Sequence, residues 1–363
     1  MRNLILLLVS CGIFLLLGEA AVRVVFPEIG SSGFPPYSPE LLVPNERRSY
    51  NYQPGYEGIA GGKNGVYLSI NNLGMRDADV VPGELISVLA VGDSFTAGYM
   101  VSEAEAWPAM LEHFLTTGSG SENSIRVLNG GVSGYNIRQI RYAAEDYLPL
   151  KPDIVVVGAY PNAANRLFSP YVYYEGYSVR QHTVGFLKMT DKGFLKAINV
   201  PRVSASAQFW LMENFKLGAL LWLQLARFLE EPFRAPEYAS VEDEFAEYVG
   251  ELSQLKMATD AMGAYLVVML VAHQEPTGEF SERLKEYNRL IGEYCMANGI
   301  RVYDPTSIFE EYPSEGPMFR AGGFDYHWSS LAHSLAARGL ADMLMEPLYK
   351  QSQHLKSESP ALP

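Results

Sequence analysis

Residues Val88–Met100 read VLAVGDSFTAGYM. Four apolar residues run straight into Gly92-Asp93-Ser94, and a helix-compatible segment follows. An uninterrupted apolar run of this length is the mark of a strand covered on both faces, as in a parallel sheet. Four other stretches share the pattern: SIRVLNGGVSGY (124–135), PDIVVVGAYPN (152–162), AYLVVMLVAHQ (264–274) and IRVYDPT (300–306). Between them lie helical patterns, centred on EAWPAMLEHFL (105–115), IRQIRYAAEDYLPL (137–150), VEDEFAEYVGELSQLKMATDAMG (241–263) and FSERLKEYNRLIGEYCMANG (280–299), with a last helix near SSLAHSLAARGLADML (329–344). Alternating strands and helices imply an α/β fold with a parallel sheet covered on both faces.

The bulk composition narrows the function. A chain of 363 residues, 48% of them hydrophobic, can bury one large core or two small ones. Its net charge of −13 supplies no basic stripe, so no nucleic-acid partner is expected. The only cysteines are Cys11 and Cys295, which excludes a disulfide framework and a cysteine-rich zinc site.

The first 26 residues, MRNLILLLVSCGIFLLLGEAAVRVVF, carry one charge, Arg2, before Glu19. As a helix they are long enough for a bilayer core. An uncleaved signal anchor fits the length, a cleaved signal peptide would use Gly18-Glu19-Ala20, and Leu8-Val9-Ser10-Cys11 resembles a lipidation box. Each option takes the body of the protein out of the cytoplasm: anchored to the inner membrane by one helix, or periplasmic or secreted if cleaved. The expected organisation is 1–26 anchor or signal peptide, 27–85 a loop-rich lead-in dense in Pro, Gly, Tyr and Asn, 86–348 the catalytic domain, and 349–363 a polar tail. The apolar segment Ala207–Phe233 is punctuated by Glu213, Lys216, Arg227, Glu230 and Glu231. It reads as a core-packed or lid-like helix pair rather than a membrane contact.

In open α/β sheets ligands bind beyond the carboxyl ends of the strands, where Ser94 falls. At the start of a helix a hydroxyl also meets free backbone N–H groups and the positive end of the dipole. A turn with an N-cap would use the same three residues, so the tripeptide alone decides nothing. A nucleophilic serine needs a base. Of His113, His182, His273, His327, His333 and His354, His327 stands out: it follows Asp325 by two residues in GGFDYHWSSLAHS (322–334) and precedes a helix. A nearby carboxylate can accept from one ring nitrogen and leave the other for the serine.

With these two motifs the chain resembles the SGNH, or GDSL-type, hydrolases, over about residues 86–348. The first block is GDSFTAG with Ser94, the second NGGVSGY with Gly134, the third VVVGAYPNAAN with Asn162, and the fourth DYHW with Asp325 and His327. Two positions depart from the family pattern. Asn162 is followed by Ala163 rather than Asp, which leaves Asn165 as a rival, and only Tyr326 separates Asp325 from His327.

The resemblance implies a three-layer αβα fold with a parallel, flavodoxin-like five-stranded sheet. It also implies a serine ester hydrolase with catalytic Ser94, His327 and Asp325. Its oxyanion hole would comprise the N–H groups of Ser94 and Gly134 and the amide of Asn162, with no metal or organic cofactor. Asp93 reads as a structural hydrogen-bonder of the turn. The expected substrate is an O-acyl ester, acetyl esters of extracytoplasmic carbohydrate being favoured by compartment. The alternatives are a polysaccharide O-acyltransferase using the same acyl-serine and a lipid or short-chain esterase. A non-catalytic glycan-binding protein would be expected only if the serine or histidine were missing.

Overall fold

The computed structural model describes residues 2–25, 40–60, 65–119, 125–161, 166–167, 170–174, 176–180, 187–189, 195–197, 214–218, 220–221, 241–272, 282–311 and 327–358. The chain forms two compact units. One comprises residues 1–51, 59–65 and 171–237, the other 52–58, 66–170 and 238–363.

The second unit holds a five-stranded sheet: β1 (Val88–Gly92), β2 (Val127–Asn129), β3 (Ile154–Ala159), β4 (Tyr265–Leu270) and β5 (Arg301–Tyr303). The strand order is β2-β1-β3-β4-β5, and every pairing is parallel. In register, Val88 faces Val127 on one side and Ile154 on the other, and Gly92 faces Gly158. This is the flavodoxin-like order, in which the chain steps outward from β1 to β2 and then returns to the opposite side at β3. The carboxyl ends of β1 and β3 therefore border the crevice where the winding reverses.

Helices cover both faces, as β-branched apolar strands require. Val88, Ala90, Val127, Ile154, Val156, Val267 and Met269 pack against Trp107, Leu111 and Leu115 of α3 (Trp107–Ser119) and Ala336, Leu340 and Leu344 of α8 (Ser330–Glu358). On the other face lie α4 (Ile137–Tyr147), α5 (Val241–Ala261) and α6 (Glu282–Ala297). The single-turn α2 (Ser94–Ala97) follows β1, and α7 (Thr306–Glu311) follows β5. The buried carboxylate of Glu251 on α5 accepts from Arg138 and Arg141 of α4, the latter at 2.7 Å, and ties the two helices together.

Strand β2 is shorter than the apolar run around it suggests. Pairing stops at Asn129, and Gly130 to Gly134 form a loop against the turn that carries Ser94. In this loop Gly130 still donates to Ala90 O and Val132 to Gly92 O, so it hugs the end of β1 without extending the ladder.

The first unit contains α1 (Arg2–Val25) and the antiparallel pairs Tyr171–Tyr174 with Tyr177–Arg180 and Leu187–Met189 with Leu195–Ala197. By length and composition α1 can cross a membrane, with a mean hydropathy of 2.4 over its most apolar window. Near its end, the Glu19 carboxylate accepts from the N–H groups of Lys216 and Leu217 at 3.0 and 2.8 Å. Arg23 donates to Asn214 O, which makes a second tie to the same segment. Of the 207–233 stretch, only residues 214–218 and 220–221 lie among the described residues.

One helix start is capped across 226 residues of chain. The first N–H of α3, on Trp107, donates to Nδ1 of His333 at 3.2 Å. An α-helix leaves its first amides without intrahelical acceptors, and here a buried imidazole supplies one. Burial pushes the His333 pKa down from 6.5 to about 3, with smaller contributions from the neighbouring His327 and Arg76 charges. The folded state thus holds the neutral ring, whereas the unfolded chain takes a proton below pH 6.5. This contribution to stability is complete above pH 6.5 and is lost as pH falls toward 3. Between pH 7 and pH 5 it should amount to about 2 kcal/mol. Urea denaturation of wild type and His333→Gln at both pH values should show the wild type losing more by about that margin; equal losses would rule the linkage out.

Candidate active site

The serine turn is built by close approach. A Cβ on Gly92 would lie 2.0 Å from the Thr96 hydroxyl oxygen, and one on Gly158 would lie 2.3 Å from it. Two glycines, at the ends of adjacent strands, thus make room for the Thr96 side chain, which is wholly buried. That allows α2 to start directly over the sheet edge. Asp93 caps the turn: its Oδ1 accepts from Phe95 N–H at 3.0 Å, and its carbonyl accepts from Thr96 and Ala97. Asp93 therefore takes the structural role expected of it.

At the other end, Gly98 adopts the left-handed conformation (φ 71°) that closes a helix without strain. The buried Arg76 side chain donates to the carbonyls of Ala97, Gly98 and Val101 at 2.8, 2.6 and 2.7 Å. An acid at the amino end and a cation at the carboxyl end both suit the dipole of the turn.

Ser94 is 6% exposed, and its Oγ lies 2.7 Å from Nε2 of His327. The imidazole packs against two aromatic rings, Phe95 at 4.9 Å and Tyr99 at 4.6 Å between centroids. The next residue, Trp328, is buried, and its indole N–H donates to Ala272 O, just past β4, at 2.8 Å. Trp328 also meets Phe95 and Phe309 edge-on. The histidine segment is thereby fastened to the carboxyl end of the sheet by the residue that follows it.

The second loop is equally constrained. A Cβ on Gly131 would lie 2.4 Å from Ala97 N and 2.7 Å from Thr96 C, so backbone packs on backbone there. Ser133 N–H donates to the Tyr52 hydroxyl at 3.2 Å, and Gly134 takes φ 85°. Asn136 then caps α4 by accepting from Gln139 N–H. Among the described residues, no hydrogen bond engages the N–H of Ser94 or of Gly134. These two backbone donors, one on the serine and one in the neighbouring loop, thus have no protein acceptor among the described residues.

Of the residues named from sequence, Ser94 and His327 come together, and Gly134 lies in the loop packed beside the serine turn. Asp325, Asn162 and its rival Asn165 lie outside the described residues. His113 and His333 sit on α3 and α8, and His354 on the far end of α8; His182 and His273 lie outside the described residues. The sequence reading missed Arg76 and Arg166. Arg166 donates to Asp93 Oδ2 at 2.8 Å and to Tyr135 O at 3.2 Å. Both arginines act on groups far away in the chain, so no local spacing marks them. Among the described residues, no group of three His, Cys, Asp or Glu is arranged to hold a metal ion.

No protein-family model matches the sequence, and no curated protein matches it. Several solved structures are similar to it at low identity. A structure described as a lipolytic protein of the G-D-S-L family, from Desulfitobacterium hafniense DCB-2, is 13% identical with a TM-score of 0.42, over 71% of this chain and 99% of its own. Axe2, an acetylxylan esterase from Geobacillus stearothermophilus, is 17% identical with a TM-score of 0.42, over 72% of this chain and 94% of its own. LAE5, an alpha/beta hydrolase enzyme from the metagenome of Lake Arreo, Spain, is 17% identical with a TM-score of 0.43, over 72% and 96%.

The packing at Gly131 makes a sharp test of the site's construction. A methyl group there must displace the backbone of the serine turn, because the contacting atoms are not flexible side-chain ends. Gly131→Ala should lower stability by about 1–3 kcal/mol, measured by chemical denaturation. An unchanged midpoint would show that the loop and turn are not in this register.

Proposed function

We propose that this chain is a serine ester hydrolase of the SGNH, or GDSL, type, with Ser94 as nucleophile and His327 as general base. The observation that carries this reading is the 2.7 Å approach of His327 Nε2 to Ser94 Oγ at the sheet's switch point. A hydroxyl at the start of a helix, within reach of an imidazole, is what acyl transfer needs.

For the attack, Nε2 must be unprotonated and the ring proton must sit on Nδ1. Ser94 Oγ then adds to the ester carbonyl carbon as its proton passes to Nε2, and the carbonyl π pair moves onto oxygen. The N–H groups of Ser94 and Gly134 would meet this oxyanion, and the amide of Asn162 is the proposed third donor. A donor of this kind contributes about 3–4 kcal/mol in the transition state. Collapse breaks the bond to the leaving alkoxide, which takes the proton from His327. Water then adds to the acyl-serine with His327 again as base, releasing the acid and restoring Ser94. Asp325 is the proposed acceptor for Nδ1–H, where it would fix the tautomer and stabilise the imidazolium. The Phe95 and Tyr99 rings pack against the imidazole.

We place the substrate among O-acyl esters. The apolar α1 supports an enzyme that works at or beyond a membrane, and acetylated carbohydrate outside the cytoplasm is the substrate class proposed. No metal or organic cofactor enters these steps.

The test is hydrolysis of p-nitrophenyl acetate together with labelling by a fluorophosphonate. Wild type should turn over the ester and carry the phosphonate on Ser94, as read by peptide mass spectrometry. Ser94→Ala and His327→Ala should each lower kcat by at least about 10⁴-fold. Turnover that survives both substitutions would refute the assignment. If turnover rises on adding a glycan acceptor, with acyl transferred to it, the acyl-serine serves transfer rather than hydrolysis.

A further inference from the structure

Arg166 bonds to two segments beside the serine, the turn that carries it and the loop after β2. Its Nη1 donates to Oδ2 of Asp93 at 2.8 Å and to the carbonyl oxygen of Tyr135 at 3.2 Å. Its own carbonyl accepts from Asn136 Nδ2 at 3.2 Å, and its guanidinium lies 5.4 Å from the centre of the Tyr160 ring. Asp93 immediately precedes Ser94, Tyr135 immediately follows Gly134, and Arg166 sits four residues beyond Asn162. One cation therefore connects the segments that carry two of the proposed oxyanion donors, Ser94 and Gly134.

The charge matters as much as the tie. Asp93 is wholly buried, and the Arg166 side chain is only 13% exposed. An uncompensated carboxylate one residue from the nucleophile would repel the negative charge that develops on the ester oxygen, with little solvent to screen it. A guanidinium on Oδ2 offsets that repulsion, while Oδ1 remains bound to Phe95 N–H.

We propose that Arg166 is a positioning residue for ester hydrolysis. It holds the Ser94 and Gly134 amides in fixed relation and neutralises Asp93 as the oxyanion forms. The proposal rests on the serine-hydrolase reading above. It assigns Arg166 an effect on the rate per active serine, beyond the stability that any buried ion pair gives.

The experiment uses the full chain in detergent, as wild type, Arg166→Ala, Arg166→Lys and Arg166→Gln. Fluorophosphonate labelling carried to completion counts competent Ser94 in each protein. Then kcat and KM for p-nitrophenyl acetate are expressed per labelled serine, and thermal midpoints are recorded alongside. Arg166→Ala should lower kcat per labelled serine about 100-fold while KM changes by no more than about threefold. Arg166→Lys keeps the positive charge and a donor beside Asp93, so it should recover activity to within about tenfold of wild type. Arg166→Gln has a donor but no charge and should stay near the alanine value; it also provides the reading if the alanine variant does not fold. Wild-type kcat per labelled serine in the alanine and glutamine variants, with only a lower thermal midpoint, would reduce Arg166 to a structural ion pair and overturn the proposal. If wild type neither labels at Ser94 nor turns over, the hydrolase reading itself fails, and the role of Arg166 falls with it.

Discussion

A short helix has to begin at the very end of a buried strand, and its first side chain has to face the crevice rather than the core. That constraint shapes everything around Ser94. The turn can sit so low because Gly92 and Gly158 leave space for Thr96, and because Gly131 lets the neighbouring loop close on the backbone of Thr96 and Ala97. Any larger residue at these positions would push the turn off the sheet. The apolar strands β1 and β3 supply the rigid floor, and the parallel order β2-β1-β3-β4-β5 puts their carboxyl ends side by side.

A turn of four residues cannot hold itself together, since it closes too few hydrogen bonds to offset the ordering of its backbone. The structure supplies the missing restraint from outside. Asp93 satisfies an amide at the amino end, and Arg76 satisfies three carbonyls at the carboxyl end. A buried arginine bonded to carbonyls and a buried aspartate bonded to an amide are costly groups to place in a core. Each is tolerated because the partners are fixed, and together they fix Ser94 in return.

The histidine arrives from the far end of the chain by a different kind of restraint. Trp328 anchors the segment through one hydrogen bond at the end of β4 and edge contacts to Phe95 and Phe309. A few residues on, His333 accepts the first amide of α3. The start of α8 is thus packed against the start of α3, and His327 precedes it on a short leash. Phe95, next to Ser94, touches His327, Trp328 and Tyr160. A single aromatic side chain therefore couples the serine turn to the segments after β3 and before α8.

Much of this was legible in the residues alone. Five apolar runs separated by amphipathic segments announce a parallel α/β sheet, because burial on both faces leaves no alternation of polar and apolar positions. Gly92-Asp93-Ser94 marks the turn, and Asp-x-His before a helix marks His327, since both signals are local. The long apolar start of the chain is likewise readable, and α1 has the length and composition to cross a membrane. The contacts of Arg76, Arg166 and His333 were not legible. Each pairs with a backbone group or carboxylate that is 21 to 226 residues away, and a backbone carbonyl or amide has no residue type to advertise it. Strand β2 was overread for a related reason: the apolar run continues into Val132, but Gly130 and Gly131 end the ladder by packing on the serine turn. Local pattern determines which segments become strands and helices, because periodicity and burial act along the chain. The distance from His327 to Ser94, and the charges that support the turn, belong to tertiary packing, because only the closed fold brings those groups within hydrogen-bonding range.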